Sequence, residues 1–213
     1  MEFISETLNN YCLRQSEPES VLLQELNRET HLKVLSPRML SGHLQGRLLS
    51  FLSKLKRPNS ILEIGTYTGY SALCLAEGLA EKGELITIDP NEETNLVAQK
   101  YFNKSQFSGQ IKLLKGEAKS IIPELQQEFD LVFIDADKRN YPAYFDLIIG
   151  KVKTGGLIIA DNVLWSGKVL EETEKMDTDT KIIHDFNNKI NNDSRVTNLL
   201  LPVRDGLMLM IKN

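Results

Sequence analysis

The chain is poor in cysteine and histidine, which limits the kinds of site it can build. It contains 2 cysteines among 213 residues, Cys12 and Cys74, and they are far apart in the sequence. Such a pair supports neither a disulfide framework nor a cysteine-rich zinc site, and it is typical of a reducing compartment. The three histidines are scattered and show no zinc-ligand spacing.

Excess positive charge and long apolar runs are also missing. The formal net charge is -4 and the pI is about 5.5, so we expect no nucleic-acid partner and no attraction to an anionic membrane. No stretch approaches the roughly 20 apolar residues of a membrane span. The first twenty residues are polar and lack the basic start and apolar run of a signal peptide. We therefore expect a cytoplasmic protein without membrane attachment.

The remaining pattern is that of one α/β domain over residues 1–213. Hydrophobic residues make up 41% of the chain, which is ordinary for a globular protein. Apolar spacing predicts helices in residues 1–57, which we interpret as an N-terminal extension that covers a binding site. Residues 58–213 then form the core of the domain. We expect a helix around Ile4–Cys12 and two more that begin near Leu22 and Leu44.

Five short apolar runs follow, and each stops at or beside an acidic residue or glycine. They lie at residues 60–64, 85–88, 111–114, 131–134 and 157–160. Helix-length amphipathic segments separate them, which predicts a parallel sheet with helices on both faces. Two last runs, at 196–201 and 207–211, predict an antiparallel hairpin at the edge of the sheet. The expected sheet has seven strands and is mostly parallel.

Ligands of a doubly wound sheet bind beyond the carboxyl ends of its strands. The residues at those ends should therefore converge on one crevice, although they are far apart in the sequence: Glu63, Gly65, Asp89, Glu117, Asp135 and Asp161.

The first of these ends carries the motif EIGTYTGYS, residues 63–71. Its glycine spacing is not the GxGxxG of dinucleotide-binding proteins, which a rival NAD-dependent oxidoreductase would need, and no Gly-Lys-Ser/Thr of a phosphate-binding loop follows. Asp89 ends the next predicted strand, where a carboxylate accepts hydrogen bonds from ribose hydroxyls. A ribose without a pyrophosphate favours S-adenosylmethionine. The alternative is that Gly65 and Gly69 only turn the chain; otherwise they let the backbone approach a ligand closely.

A second group of residues follows the fourth and fifth strands, which we expect beside the first strand. Asp135, Asp161 and Asn162 offer oxygen ligands only, which favours Mg²⁺, Ca²⁺ or Mn²⁺ over zinc. Such a cation would lower the pKa of a phenol from its usual value of about 10. Lys138 could then accept the proton, provided that burial and the metal depress its own pKa. The alternatives are that Asp161 and Asn162 only form a turn and that Lys138 is a solvated surface lysine.

Four segments resemble the cation-dependent O-methyltransferases typified by caffeoyl-CoA and catechol O-methyltransferase. These segments are LEIGTYTGYSAL, FIDADKRNY, IADNVLWSGKV and LPVRDGLML, and the likeness extends from about Glu17 to Lys212, closest to the small bacterial members. The resemblance implies a Rossmann-like class I methyltransferase fold and a homodimer. It also implies transfer of a methyl group from S-adenosylmethionine to a hydroxyl of a small catechol- or caffeoyl-type aromatic. A non-catechol hydroxyl acceptor remains an alternative.

The resemblance also implies roles for individual residues. Asp135, Asp161 and Asn162 match the metal ligands, and Lys138 matches the catalytic lysine. The cofactor-binding positions are Met39, Ser41, Glu63, Gly65, Thr66, Tyr67, Ser71, Asp89, Glu117, Ala118 and Asp135. The candidates near the acceptor are Asp137, Trp165, Arg204 and Asp205.

Two positions depart from the family pattern. Arg204 stands where glycine is common, and there it would bind an acidic acceptor or face solvent. Gln45 stands where the family usually has an acidic residue before glycine.

Overall fold

The computed structural model describes residues 4–213, and a seven-stranded sheet runs through the middle of this region. In chain order the strands are β1 (Ser60–Ile64), β2 (Glu84–Asp89), β3 (Ile111–Lys115), β4 (Phe129–Ile134), β5 (Val152–Asp161), β6 (Val196–Leu201) and β7 (Leu207–Lys212). Their order across the sheet is β3-β2-β1-β4-β5-β7-β6. The strands β1 to β5 pair in parallel, and β7 is antiparallel to β5 and β6. The predicted fold class, including the terminal hairpin, is confirmed.

Helices cover both faces of this sheet. They are α1 (Glu6–Arg14), α2 (Val21–Lys33), α3 (Gly42–Lys56), α4 (Tyr70–Ala76), α5 (Glu92–Lys104), α6 (Ala118–Ile121), α7 (Tyr141–Ile149) and α8 (Thr178–Asn191). Four of them begin after a side chain that caps a backbone amide, as short polar residues do at helix starts: Ser5, Ser20, Asn91 and Asp177. Short 3₁₀ turns lie at Pro37–Met39, Ile122–Glu124, Lys138–Asn140, Trp165–Leu170 and Thr173–Lys175.

The strand order corrects one detail of the sequence-based expectation. We expected both β4 and β5 beside β1. Only β4 is a neighbour of β1, because β5 pairs with the opposite edge of β4. The register nevertheless aligns the three strand ends, with Ile64 opposite Ile134 and Ile134 opposite Ala160. The residues that follow these positions are therefore neighbours at one edge of the sheet.

Alternate residues of each strand enter different hydrophobic clusters, as the pleat of a strand requires. Leu62 and Ile64 of β1 belong to one cluster, and Ile61 belongs to the other. The second cluster also contains Leu23 and Leu49 of the N-terminal helices. These helices therefore share the core of the sheet. Within residues 4–213, none of the helices is long and apolar enough to cross a membrane.

Candidate active site

One cavity of about 1430 Å³ opens beyond the carboxyl ends of β1, β2, β4 and β5. It collects nearly all of the site residues predicted from the sequence. The predicted residues that line it are Met39, Ser41, Gly65, Thr66, Tyr67, Ser71, Asp89, Glu117, Ala118, Asp135, Asp137, Lys138, Asp161, Asn162, Trp165, Arg204 and Asp205.

Glu63 is the predicted residue that the structure places elsewhere. Its side chain is fully buried beneath the cavity and does not line it. Its Oε2 accepts a hydrogen bond from Thr87 Oγ1 at 2.5 Å, while Oε1 has no partner among the described residues. Burial raises the pKa of Glu63 to about 8. The contact of Glu63 with the cofactor, expected from the resemblance, stays a prediction.

Gly65 lies where β1 ends, and its backbone is left-handed, with φ of 98°. A Cβ at this position would overlap the carbonyl oxygen of Asp135. The glycine is therefore required by the contact between the ends of β1 and β4. Gly65 also lines the cavity, and close approach of a ligand to its backbone stays a prediction.

Asp89 holds the turn that follows β1. Its Oδ2 accepts hydrogen bonds from the amides of Thr66 and Tyr67, both at 3.0 Å, and its Oδ1 accepts one from the amide of Asn91 at 2.8 Å. A carboxylate has about four lone-pair sites, so one remains for a ligand in the cavity. Binding of ribose hydroxyls by Asp89 stays a prediction.

Two carboxylates and an amide meet at the ends of β4 and β5. Asp161 is buried, and its Oδ1 accepts a hydrogen bond from the amide of Asn162 at 2.6 Å. Burial, and then the charge of Asp135, raise the pKa of Asp161 to about 7. Among residues 4–213, no cluster of three or more His, Cys, Asp or Glu side chains forms a metal site. A cation here would therefore take the amide oxygen of Asn162 as its third protein ligand, and this all-oxygen set fits a hard divalent ion.

Lys138 lies beside these carboxylates. Its Nζ donates to Asp135 Oδ1 at 3.0 Å and to the hydroxyl of Tyr141 at 2.8 Å. Burial alone would lower the pKa of Lys138, but its attraction to Tyr141 and Asp135 raises the pKa above the usual range. The protein groups alone therefore favour the ammonium form, and the depression of this pKa that was expected with a bound cation stays a prediction.

Tyr141 and Gln45 are two contacts of this site that the sequence did not reveal. Tyr141 is buried, and its ring lies edge-on to the ring of Phe186. Its hydroxyl also donates to the carbonyl of Asp161 at 3.0 Å. Gln45 is fully buried on α3, and its Nε2 donates to Asp161 Oδ2 at 2.6 Å. The one signal of this contact in the sequence was that Gln45 stands where the family usually has an acidic residue.

Of the candidate acceptor contacts, Asp137 and Asp205 bind the protein itself. Asp137 accepts hydrogen bonds from Asn140 Nδ2 and the hydroxyl of Tyr144, both at 2.5 Å. Asp205 accepts one from the amide of Ser166. Their carboxylates therefore hold the loops of the cavity wall, although both residues line the cavity.

Trp165 forms another part of the wall, where its backbone is left-handed, with φ of 48°.

Arg204 is exposed and also lines the cavity. Its Nη1 donates to the carbonyls of Leu40, at 2.9 Å, and Ser41, and its Nη2 donates to the carbonyl of Arg38 at 3.4 Å. The guanidinium therefore bonds to the protein backbone, and its binding of an acidic acceptor stays a prediction. It joins the turn between β6 and β7 to the segment before α3, because that segment presents several carbonyl oxygens to it.

The remaining cofactor candidates lie on the rim and wall of the cavity. Met39 is 59% exposed, whereas Ser41 is buried. Glu117 is exposed and precedes α6, and Ala118 is buried in the first turn of that helix. All four line the cavity, so both the N-terminal segment and the end of β3 contribute to it.

The chain matches a family model described as O-methyltransferase over residues 13–213. It is 34% identical to a caffeoyl-CoA O-methyltransferase of Stellaria longipes, over 95% of this chain and 89% of that protein. It is 40% identical to a catechol O-methyltransferase of Niastella koreensis, over 60% of each. In structure it is similar to the S-adenosylhomocysteine-bound methyltransferase PaMTH1 of Podospora anserina, with a TM-score of 0.89, 27% identity and coverage of 98% and 94% of the two chains. The resemblance seen in the sequence motifs is thereby confirmed, and the chain belongs to the O-methyltransferase family.

Proposed function

We propose that the protein transfers a methyl group from S-adenosylmethionine to a hydroxyl of a catechol- or caffeoyl-type small molecule, with a divalent cation, most simply Mg²⁺. The observation that carries the proposal is the shared cavity. It joins the turn at residues 65–71 and Asp89 to the carboxylates of Asp135 and Asp161 and to Lys138. A methyl donor and an oxygen acceptor therefore have adjoining places in one space.

The methyl donor is supported from two sides. The turn after β1 lacks the Gly-Lys-Ser/Thr of a phosphate-binding loop, so the cavity suits a nucleoside without a pyrophosphate. The similar protein of Podospora anserina binds S-adenosylhomocysteine, the product that S-adenosylmethionine leaves after methyl transfer.

The acceptor is supported by the charge distribution at the ends of β4 and β5. Asp135, Asp161 and Asn162 would hold a divalent cation, which when bound acidifies the acceptor hydroxyl and offsets the negative charge around Lys138. Two neighbouring oxygens on an aromatic ring suit the part of the coordination shell that three protein ligands leave open. The caffeoyl-CoA and catechol O-methyltransferases among the relatives favour this acceptor class.

Lys138 is the residue that handles the proton. Its Nζ is fixed between Asp135 Oδ1 and Tyr141 Oη, close to the proposed acceptor oxygen. In the proposed reaction a bound cation would offset the charge of Asp135 that favours the ammonium form of Lys138, so that Nζ could be a neutral amine. The amine would then accept the hydroxyl proton as the oxygen bonds to the methyl carbon and the methyl–sulfur bond breaks, which releases S-adenosylhomocysteine. The buried carboxylate and hydroxyl around it restrict its motion, so the protein mainly supplies orientation and a fixed electrostatic field.

A mass-based screen tests this function. Catechols, caffeoyl-type acceptors and monohydroxylated analogues are incubated with S-adenosylmethionine, with Mg²⁺ or with a chelator. We expect a gain of one methyl group on vicinal diols only when Mg²⁺ is present. Full activity with the chelator would contradict the metal, and methylation confined to monohydroxylated analogues would contradict the acceptor class. S-adenosylhomocysteine should raise the melting temperature, as a ligand of the native state must.

A further inference from the structure

Residues 35–41, which we call the cover segment, form the part of the cavity wall between α2 and α3. The segment contains the 3₁₀ turn Pro37–Met39 and a left-handed Ser36, with φ of 58°. Leu35 is 87% exposed and Met39 is 59% exposed. Leu40 and Ser41 are the buried residues at its end. Little apolar burial therefore holds most of this segment in place, and its position depends on polar contacts.

Two side chains from distant parts of the chain supply those contacts. The hydroxyl of Tyr67, in the turn after β1, lies 3.0 Å from the carbonyl oxygen of Leu35 and 3.2 Å from that of Ser36. Arg204, in the turn between β6 and β7, donates to the carbonyls of Arg38, Leu40 and Ser41 at the other end of the segment. The cover segment is thus fastened at both ends, once by the motif turn and once by the hairpin.

The backbone at Arg204 shows that this fastening is specific. Its φ is 49°, a left-handed conformation that is unfavourable for a residue with a Cβ. The chain adopts it at the turn that brings the guanidinium within reach of the carbonyls of Leu40 and Ser41. Because a guanidinium has five N–H donors in a fixed fork, one side chain can hold several carbonyls of the segment at once.

We propose that Arg204 is a positioning residue that holds the cover segment closed over the bound methyl donor and so sets how tightly the donor is retained. The inference rests on the proposed function, since it requires the donor to lie beside Met39 and Ser41. We expect a segment with so few contacts to open and close, and the apparent affinity for a ligand falls with the fraction of molecules that are closed. Arg204 raises that fraction without contacting the reacting atoms.

The test uses the full-length enzyme and S-adenosylhomocysteine as the probe. Arg204→Met keeps the backbone and the length of the side chain but removes the donors. Arg57→Met is the matched control, because the backbone of Arg57 is also left-handed, with φ of 48°. Arg57 is exposed, and its side chain forms no hydrogen bond or ion pair within residues 4–213. Calorimetry measures the dissociation constant, and hydrogen exchange measures opening of residues 35–41.

For Arg204→Met we expect a roughly ten-fold weaker affinity, which corresponds to about 1.4 kcal/mol, and faster amide exchange in the cover segment. KM for the methyl donor should rise more than kcat falls, because the contact is lost equally in the ground state and the transition state. Arg57→Met should match the wild type. Unchanged affinity and exchange in Arg204→Met would overturn the proposal.

Arg204→Gly separates positioning from stability. Glycine accepts the left-handed backbone without strain, so this variant should melt no lower than the wild type and still lose affinity to the same extent as Arg204→Met. Normal affinity in Arg204→Gly would overturn the proposal, since both variants lack the guanidinium and the loss in Arg204→Met would then come from the methionine side chain. Failure of the wild-type enzyme to bind S-adenosylhomocysteine would instead overturn the proposed function itself.

Discussion

The two sides of the cavity are built differently. Its floor, the residues after β1, β4 and β5, is fixed by backbone hydrogen bonds of the sheet, such as Gly65 N to Ile88 O at 2.9 Å and Asp135 N to Ile64 O at 2.8 Å. The cover segment opposite has no strand partner and is held by Tyr67 and Arg204. The proposed chemistry lies on the floor, where an error in position is most costly. In our proposal, retention of the methyl donor depends on the cover segment.

The largest effect should come from the floor itself. Asp161→Ala removes a carboxylate that the proposed cation needs, and we expect methylation of a catechol to fall by roughly 10³-fold or more, measured by mass at saturating Mg²⁺. Asp146→Ala is the control, because its carboxylate binds Lys189 on the surface. Circular dichroism should show both variants folded. An Asp161→Ala enzyme that remains fully active would exclude a role for this carboxylate in catalysis.

The next largest effect tests whether the floor is rigid. Gly65→Ala places a Cβ against the carbonyl of Asp135 at a left-handed position, so we expect the free energy of unfolding to fall by about 3 kcal/mol or more. Gly150→Ala is the control, since a Cβ there meets open space and the backbone is helical. It should be neutral or slightly stabilising. Equal free energies of unfolding of the two variants in urea denaturation would show that the backbone at the ends of β1 and β4 shifts to accept the extra methyl group.

The pH dependence of stability tests the buried carboxylate beneath the floor. The pKa of Glu63 rises from 4.5 to about 8 on folding, so the folded state holds its proton more tightly. The resulting stabilisation is complete below pH 4.5 and is lost as the pH rises to about 8. Glu63→Gln should abolish this loss. Between pH 5 and pH 8 we therefore expect the free energy of unfolding of the wild type to fall by up to about 3 kcal/mol relative to that of the variant.

Urea denaturation at the two pH values measures this gain. Glu128→Gln, at an exposed position, should show no such difference between pH 5 and pH 8. A Glu63→Gln variant whose advantage is the same at both pH values would mean that Glu63 is not the titrating group.

The smallest effect belongs to the cover. Tyr67→Phe removes one hydroxyl that contacts the carbonyls of Leu35 and Ser36. The free energy of unfolding should therefore fall by less than about 1 kcal/mol. Hydrogen exchange in residues 35–41 should nevertheless accelerate, while exchange in β1 and β4 stays slow. Tyr11→Phe, at an exposed position on α1, is the control. Slower or unchanged exchange in Tyr67→Phe would show that the cover is held by other contacts.

Most of the floor could be predicted from the sequence because strand ends obey a general rule. Each apolar run ends where a parallel strand ends, so Asp89, Asp135 and Asp161 had to share one edge of the sheet. The burial of Glu63 could not be predicted in this way, because Glu63 lies inside β1, where its side chain enters the buried layer with Thr87. A pattern of residue types shows where a strand ends, but it does not show how far a side chain reaches past that end.

The cover and the contacts that bind it could not be predicted in this way. Arg204 and Leu40 are distant in the sequence and meet only because the hairpin returns to the N-terminal helices. Gln45 likewise reaches Asp161 from α3. Neither contact follows from periodicity or from a strand-end rule, because each joins two irregular or separate elements through one long side chain.

The chain contains 1 tryptophan, and it stands in the wall of the cavity. Trp165 is partly exposed in a left-handed loop, and the amide of the next residue is held by Asp205 of the hairpin turn. All intrinsic indole emission of the protein therefore originates at the site. Fluorescence of the unmodified enzyme gives a direct, label-free optical record of filling and emptying of the cavity, and its time course can be followed in a stopped-flow instrument for every variant proposed above that retains Trp165.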